Sequence, residues 1–344
     1  MGRYTVPTMI DFTPNPIALA IGPLEIRWYG IGYVAAIAAG TWLALRLARQ
    51  RGERTDMIVD SLIVIAVSAL IGGRAYNVID QWAYYKDHLA QIVLPPYSGL
   101  GIYGGLFTGT LAVIWLTRHY HLSFWRWGDI IAPCILIAQA VGRWGNFMNQ
   151  ELYGPPTTLP WGIAIQCQYR VAEYACPAHG GTTPVDAHFI PLFFYESMLS
   201  LVGVFVMIFL WRRFTARGRI LIAGDVGLLY FVWYGVERSI LETLRSGWNW
   251  TFFGLATAQI VGLGAALVAL VAIVVRHRWV RSHPESDARE ASGPSLARPE
   301  AGPDSPATAE AAPGPGDTAS GPDDAPPEPS EPVDPLRESS PHPE

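Results

Sequence analysis

Apolar residues fall into seven long blocks along the chain, at about 28–48, 57–76, 99–117, 128–147, 190–211, 220–240 and 254–275. Each is close to the roughly 20 residues a helix needs to cross a bilayer. Charged residues are scarce inside the blocks and gather at their ends. The pattern predicts an all-α, polytopic membrane protein with seven transmembrane helices. In the third block Gly101, Gly105 and Gly109 recur every four residues, a spacing that lets one helix pack closely on another. Beyond the last block the pattern stops. Residues 283–344 hold 14 Asp/Glu against three Arg, set among Pro, Ala, Gly and Ser. With almost no aromatic or β-branched residues, that stretch buries too little to fold and reads as a disordered tail. Two units are therefore expected, a transmembrane domain at 1–282 and an acidic tail at 283–344.

Charge refines this layout. The tail carries a net −11, leaving 21 Lys/Arg and 15 Asp/Glu, a net +6, for the rest. One set of loops holds Arg46, Arg49, Arg51 and Arg54, then Arg118 and Arg126. It continues with Arg212, Arg213, Arg217 and Arg219, and ends with Arg276, Arg278 and Arg281. The opposite loops, about 77–98, 148–189 and 241–253, hold only Lys86, Arg170 and Arg245. Basic loops stay in the cytoplasm, so the N-terminus is expected outside and the tail inside. No basic start with a short apolar core marks a cleavable signal, so the first span is expected to drive insertion. The segment 148–189 becomes an outward-facing loop head. It contains Cys167 and Cys176, either two free thiols or, on an oxidising face, a disulfide. Cys134, inside the fourth block, reads as a small core residue.

Half of the residues are apolar and 15% are charged, which fits a membrane protein and leaves no basic patch for nucleic acid. No histidine falls inside a block, no His/Cys/Asp grouping has zinc spacing, and no Gly-rich loop suggests a nucleotide. Neither a metal nor another cofactor is expected, and the partners are membrane lipids.

The chemistry gathers at the outer ends of the spans. Arg143, Asn146, Asn149 and Glu151 close the fourth, Arg74 ends the second and Tyr29 opens the first. In the sixth, Tyr234, Arg238, Glu242 and Arg245 are spaced by four, four and three residues, which puts them on one helical face. Charge at membrane depth is costly and rarely idle. Guanidinium forks match phosphate oxygens bidentately and remain charged, so arginines from three spans point to a phosphate anion. The plainer alternative pairs Arg238 with Glu242 and Arg143 with Glu151 as structural ion pairs.

The run Gly142-Arg143-Trp144-Gly145-Asn146-Phe147-Met148-Asn149-Gln150-Glu151-Leu152-Tyr153-Gly154 resembles the signature of the prolipoprotein diacylglyceryl transferases. Ile26 to Gly30, Gly72-Gly73-Arg74, Pro191 with Tyr195-Glu196, and Tyr234 through Arg245 resemble further family motifs, over about residues 10–277. The resemblance implies a bacterial cytoplasmic-membrane enzyme of seven transmembrane helices. It would move the diacylglyceryl group of phosphatidylglycerol to the lipobox cysteine of a prolipoprotein signal peptide. The thiolate attacks the glyceryl carbon and glycerol phosphate leaves, so the leaving phosphate needs positioned cations. Arg143 and Arg238 are the candidates for that task, with Asn146, Asn149 and Glu151 orienting them or the headgroup. Tyr29 and Tyr234 would bond lipid oxygens, Arg74 and Arg245 would add to the headgroup site, and Gly154 would let the chain turn close to substrate. Tyr103 stands where many members carry a histidine considered as a general base. With an ordinary pKa near about 10, tyrosine is a poor base at neutral pH. The thiol proton then goes to Glu151, Glu242 or the lipid phosphate, or no base is needed. The fifth span has Leu192-Phe193-Phe194 where a glutamine is usual.

Two other classes make different predictions. An anion transporter would carry polar residues through the whole membrane depth and an internal repeat, and neither is present in the pattern. A lipid-binding scaffold without activity would share every motif and differ only in assay.

Overall fold

The computed structural model describes residues 10–22, 24–93, 99–215, 220–245, 251–252 and 254–283. Arg217, Arg219 and the acidic segment beyond His283, with the disorder expected of it, lie outside the described residues.

Each apolar block carries a helix. A short hairpin, β1 (Ile17–Ile21) and β2 (Leu24–Arg27), turns at Gly22 with φ of +59° and feeds α1 (Trp28–Gln50). Then come α2 (Ile58–Asp80), the single-turn α3 (Trp82–Tyr85), α4 (Ile102–His119) and α5 (Phe124–Met148). A loop head with β3 (Ile163–Ala164) and β4 (His188–Phe189) leads to α6 (Leu192–Leu210) and α7 (Asp225–Glu242). A two-residue pairing, β5 (Thr251–Phe252) with β6 (Leu255–Ala256), precedes α8 (Thr257–Ser282).

Five of these helices are long and apolar enough to cross a membrane: α1, α2, α5, α6 with its extension to Thr215, and α8. The protein is thus mostly helical and compatible with a polytopic membrane protein. The other two blocks are diluted by polar groups. Helix α4 ends on Thr117, Arg118 and His119, while α7 carries Asp225, Glu237, Arg238 and Glu242.

Helix α1 packs on α5, which also meets α6 and α7, and α7 lies along α8. Helices α2 and α4 pair closely through glycine. A Cβ on Gly104 would collide with the Gly72 carbonyl, and one on Gly105 would sit 3.1 Å from the Ala69 carbonyl. Gly235 of α7 crosses Gly262 of α8 with equally little space. Most large apolar side chains on the outer helix faces, such as Val34, Ile79, Phe107, Phe205 and Val268, are exposed, as lipid-facing positions require. Leu47, Ile130, Leu136, Met207 and Val226 belong to a buried cluster in one half of the bundle. A second cluster, Tyr153, Ile163, Ile165, Phe189 and Phe193, lies under the loop head.

The head is tied by a Cys167–Cys176 disulfide, which answers the open question on those thiols. Arg170 donates to the carbonyls of Ile165, Pro184 and Val185 at 2.8, 2.7 and 2.6 Å and lies over the Phe189 ring. Cys134 is buried and donates to the Ile130 carbonyl.

Candidate active site

The C-terminal end of α5 meets the N-terminal ends of α1 and α6 and the C-terminal end of α7. Close packing brings them there. A Cβ on Gly145 of α5 would lie 3.3 Å from the Tyr29 ring of α1. After α5 the chain turns through left-handed Gln150 (φ +55°) and Leu152 (φ +60°). Gln150 is fully buried, donating to the Pro14 carbonyl at 2.9 Å and accepting from the Gln166 amide at 2.8 Å. Those two bonds lock the head onto the helix end.

Three arginines and two glutamates converge there in an alternating chain. Arg143 Nε lies 2.6 Å from Glu196 Oε2, and Arg238 Nη1 lies 3.3 Å from Glu196 Oε1. Arg238 Nη2 lies 2.6 Å from Glu242 Oε2, and Arg245 Nη1 lies 3.8 Å from that same oxygen. Glu196 and Glu242 are both buried. A buried charge needs partners to repay its desolvation, and here each carboxylate spans two guanidiniums. Three cations against two anions leave this chain at +1.

Arg143 is held, among the described residues, only through Nε. Among the described residues its two terminal nitrogens have no hydrogen-bond or ion-pair partner, and its side chain is 25% exposed. A guanidinium fixed at Nε and open at its fork is prepared for a bidentate anion. Arg238 is committed on both sides, and Arg245 is the most exposed of the three. Burial, then the neighbouring Arg238, pulls the Arg245 guanidinium below its ordinary range, so an added anion would relieve it.

Glu151 does not pair with Arg143. Its Oε1 accepts from Asn146 Nδ2 at 2.8 Å and Asn149 Nδ2 at 3.4 Å, at the exposed rim. Tyr29 bonds Tyr33 at 2.9 Å and lies close enough to Glu151 and Arg143 to feel their charges. Tyr234 is half-buried and stacks on Tyr230 one turn earlier. Gly154 is buried; a Cβ there would meet the Leu244 carbonyl at 2.9 Å and the Ile190 side chain at 3.2 Å. Its missing side chain thus admits the segment that leaves α7, which keeps Arg245 near Arg143.

Two sequence-predicted residues sit elsewhere. Arg74 donates to the carbonyls of Gln91, Ile92 and Gly99 and lies 5.1 Å from the Tyr85 ring centroid. It organises the loop after α3 rather than joining the other arginines. Tyr103 is exposed and faces Tyr76 of α2 at 6.0 Å between ring centroids. Arginines therefore converge from two of the three expected spans. Glu196 is the residue that sequence reasoning did not assign to the site. A lone acid one turn into the very apolar α6 is itself a signal, because such a charge persists only with partners.

Beside the arginines an apolar cleft of about 410 Å³ runs between α1, α5 and α6, lined by Trp28, Gly32, Val141, Trp144, Ser197 and Leu201 among others. Trp144 and Ser197 directly follow Arg143 and Glu196, so the cleft begins where the cations end.

Comparison with known proteins identifies the family. A family model described as prolipoprotein diacylglyceryl transferase matches residues 16–275. The chain belongs to that family. A phosphatidylglycerol–prolipoprotein diacylglyceryl transferase from Streptococcus equi subsp. zooepidemicus is 35% identical over 272 residues, covering 77% of this chain and 96% of the relative. One of the same name from Streptococcus pyogenes is 34% identical over the same length and shares. In this member of the family, the alternating Arg143–Glu196–Arg238–Glu242–Arg245 chain is the cationic feature set beside an apolar cleft.

Proposed function

We propose that the protein is a membrane transferase that moves the diacylglyceryl group of phosphatidylglycerol to the lipobox cysteine of a prolipoprotein. The uncommitted fork of Arg143 carries this reading, because it supplies two donors where a headgroup phosphate would sit. Arg238, anchored by Glu196 and Glu242, adds the second cation, and Arg245 adds to the field. Asn146, Asn149, Glu151, Tyr29 and Tyr234 rim the site and bond the glycerol and ester oxygens. The acyl chains lie in the apolar cleft. In the reaction the cysteine S–H passes its proton to an oxygen of the departing phosphate and sulfur bonds the glyceryl carbon. The carbon–oxygen bond breaks, its electron pair goes to the phosphate oxygen, and glycerol phosphate departs. The arginines hold the charge that grows on that oxygen. Arg74 has no part in this clamp, since its guanidinium is spent on loop carbonyls.

The same reading places all seven long helices across a bacterial cytoplasmic membrane, with α4 and α7 crossing inside the bundle. The loop head and the arginine chain face outward, and the basic loops and acidic tail face the cytoplasm. Labelled phosphatidylglycerol and a lipobox peptide, added to the purified protein, should yield a thioether-linked lipid. No such product under any detergent or bilayer condition would sink the assignment.

A further inference from the structure

One carboxyl at the site has no role in the reaction just described. Glu237 of α7 is 7% exposed, and it precedes Arg238 in the chain. Ser200 of α6, itself 2% exposed, donates to its Oε1 at 3.2 Å. Its Oε2 is buried and has no hydrogen-bond partner among the described residues. Ser200 lies one helical turn beyond Glu196, so Glu237 sits about one turn beneath the Arg143–Glu196–Arg238 junction.

The surroundings define what charge Glu237 meets. Helix α6 presents Glu196 and Ser200, and α5 presents Arg143. On α7 itself Arg238 is adjacent, Tyr230 and Tyr234 lie on the preceding turns, and the Trp233 indole N–H faces the carboxyl outside hydrogen-bond geometry. Helix α8 packs on α7 through Gly262 and carries no titratable side chain before Arg276. No ion pair within 4.0 Å reaches Glu237 among the described residues. Glu196 and Glu242 are each committed to two guanidiniums; Glu237 is the carboxyl of this layer with an oxygen open to a proton.

Charge then depends on that proton. Arg143, Arg238 and Arg245 against Glu196 and Glu242 leave +1 when Glu237 is neutral, and zero when it is ionised. An anionic phosphate is drawn more strongly to the first state than to the second. We infer that Glu237, bonded by Ser200, is a positioning residue whose proton sets the net charge of the arginine chain and so the hold on an anionic lipid headgroup.

This rests on the transferase reading, and binding without peptide tests it apart from the reaction. Phosphatidylglycerol affinity of the full chain in neutral detergent micelles would be measured from about pH 6 to about pH 9, with no cysteine substrate present. The wild type should lose about tenfold in affinity as pH rises, the effect of one unit charge near the phosphate. Glu237→Gln, a neutral isostere, should keep the tight value throughout. Ser200→Ala removes the donor that favours the ionised form and should move the fall to higher pH. Profiles for both variants that match the wild type would overturn the inference while leaving the transferase reading intact. Absence of phosphatidylglycerol binding by the wild type at every pH would instead remove the transferase reading, and this one with it.

Discussion

The two ends of the helix bundle each gather arginines and acids, and they use them differently. At the end opposite the candidate site, Arg51 donates to the carbonyls of Arg126 and Asp129 and lies 4.0 Å from the Trp211 ring centroid. Arg276 donates to the Ala223 carbonyl at 2.7 Å and lies 3.6 Å from the Trp125 ring centroid. Asp129 of α5 accepts from the amides of Gly224 and Gly227 at 2.8 and 2.9 Å, capping α7 from another helix. Asp225 is fully buried and takes the Ile222 amide and His277. Ion pairs occur here too, Arg126 with Glu53 at 2.6 Å and Arg276 with Asp225 at 3.7 Å, but Arg51, Arg276, Asp129 and Asp225 each also have backbone partners, so this end is a clasp. At the candidate site the same residue types pair side chain to side chain, with Arg143 left half-committed. Arginine content does not mark a binding site; the partners left over do.

Four substitutions press on that contrast. Arg143→Ala should lower transfer by about a thousandfold, as the loss of a transition-state donor does. Its fork binds no described residue, but its Nε partner Glu196 is buried and would keep only Arg238, so stability should fall as well, by up to a few kcal/mol; normal turnover per folded molecule would leave Arg143 with a structural role alone. Asp129→Ala should touch stability alone. It strips two amides at the start of α7 of their acceptor and should cost about 2–3 kcal/mol, read by thermal unfolding in detergent, with turnover per folded molecule unchanged. Gly154→Ala forces a Cβ toward the Leu244 carbonyl and should cost about 1–2 kcal/mol. It should also lower turnover, since the displaced segment carries Arg245; normal rates would separate Gly154 from the site. Arg74→Ala should change phosphatidylglycerol affinity by less than about twofold, because its partners are carbonyls that water can satisfy. A tenfold loss in equilibrium binding would return Arg74 to the clamp.

Much of this arrangement was legible in the sequence. The seven apolar blocks marked seven helices, and the spacing of Arg238, Glu242 and Arg245 gave their shared face before any coordinates. The Gly101, Gly105, Gly109 stripe marked a packing face, though not that α2 would fill it, and the tightest contact falls on Gly104 beside it. Periodicity could not say which acid would meet Arg143, because pairing between helices depends on rotation about their axes. Glu151 was nearer in sequence, yet Glu196 from α6 takes the ion pair. Arg74 shows the converse. Its chemistry and nominal depth match Arg143, but the carbonyls of Gln91, Ile92 and Gly99 take its donors, and no local pattern announces that. Gly154 was read as a turn beside the substrate, whereas its lack of a side chain makes room for the chain after α7.

The apolar cleft between α1, α5 and α6 adjoins the cations and opens sideways between helices. A ligand with two acyl tails would reach such a slot by sliding in two dimensions, never leaving its leaflet. Encounter rates then scale with lipid mole fraction at the surface rather than with bulk molarity. Diluting phosphatidylglycerol with a neutral lipid should slow the protein, whereas adding more vesicles of fixed composition should not speed it.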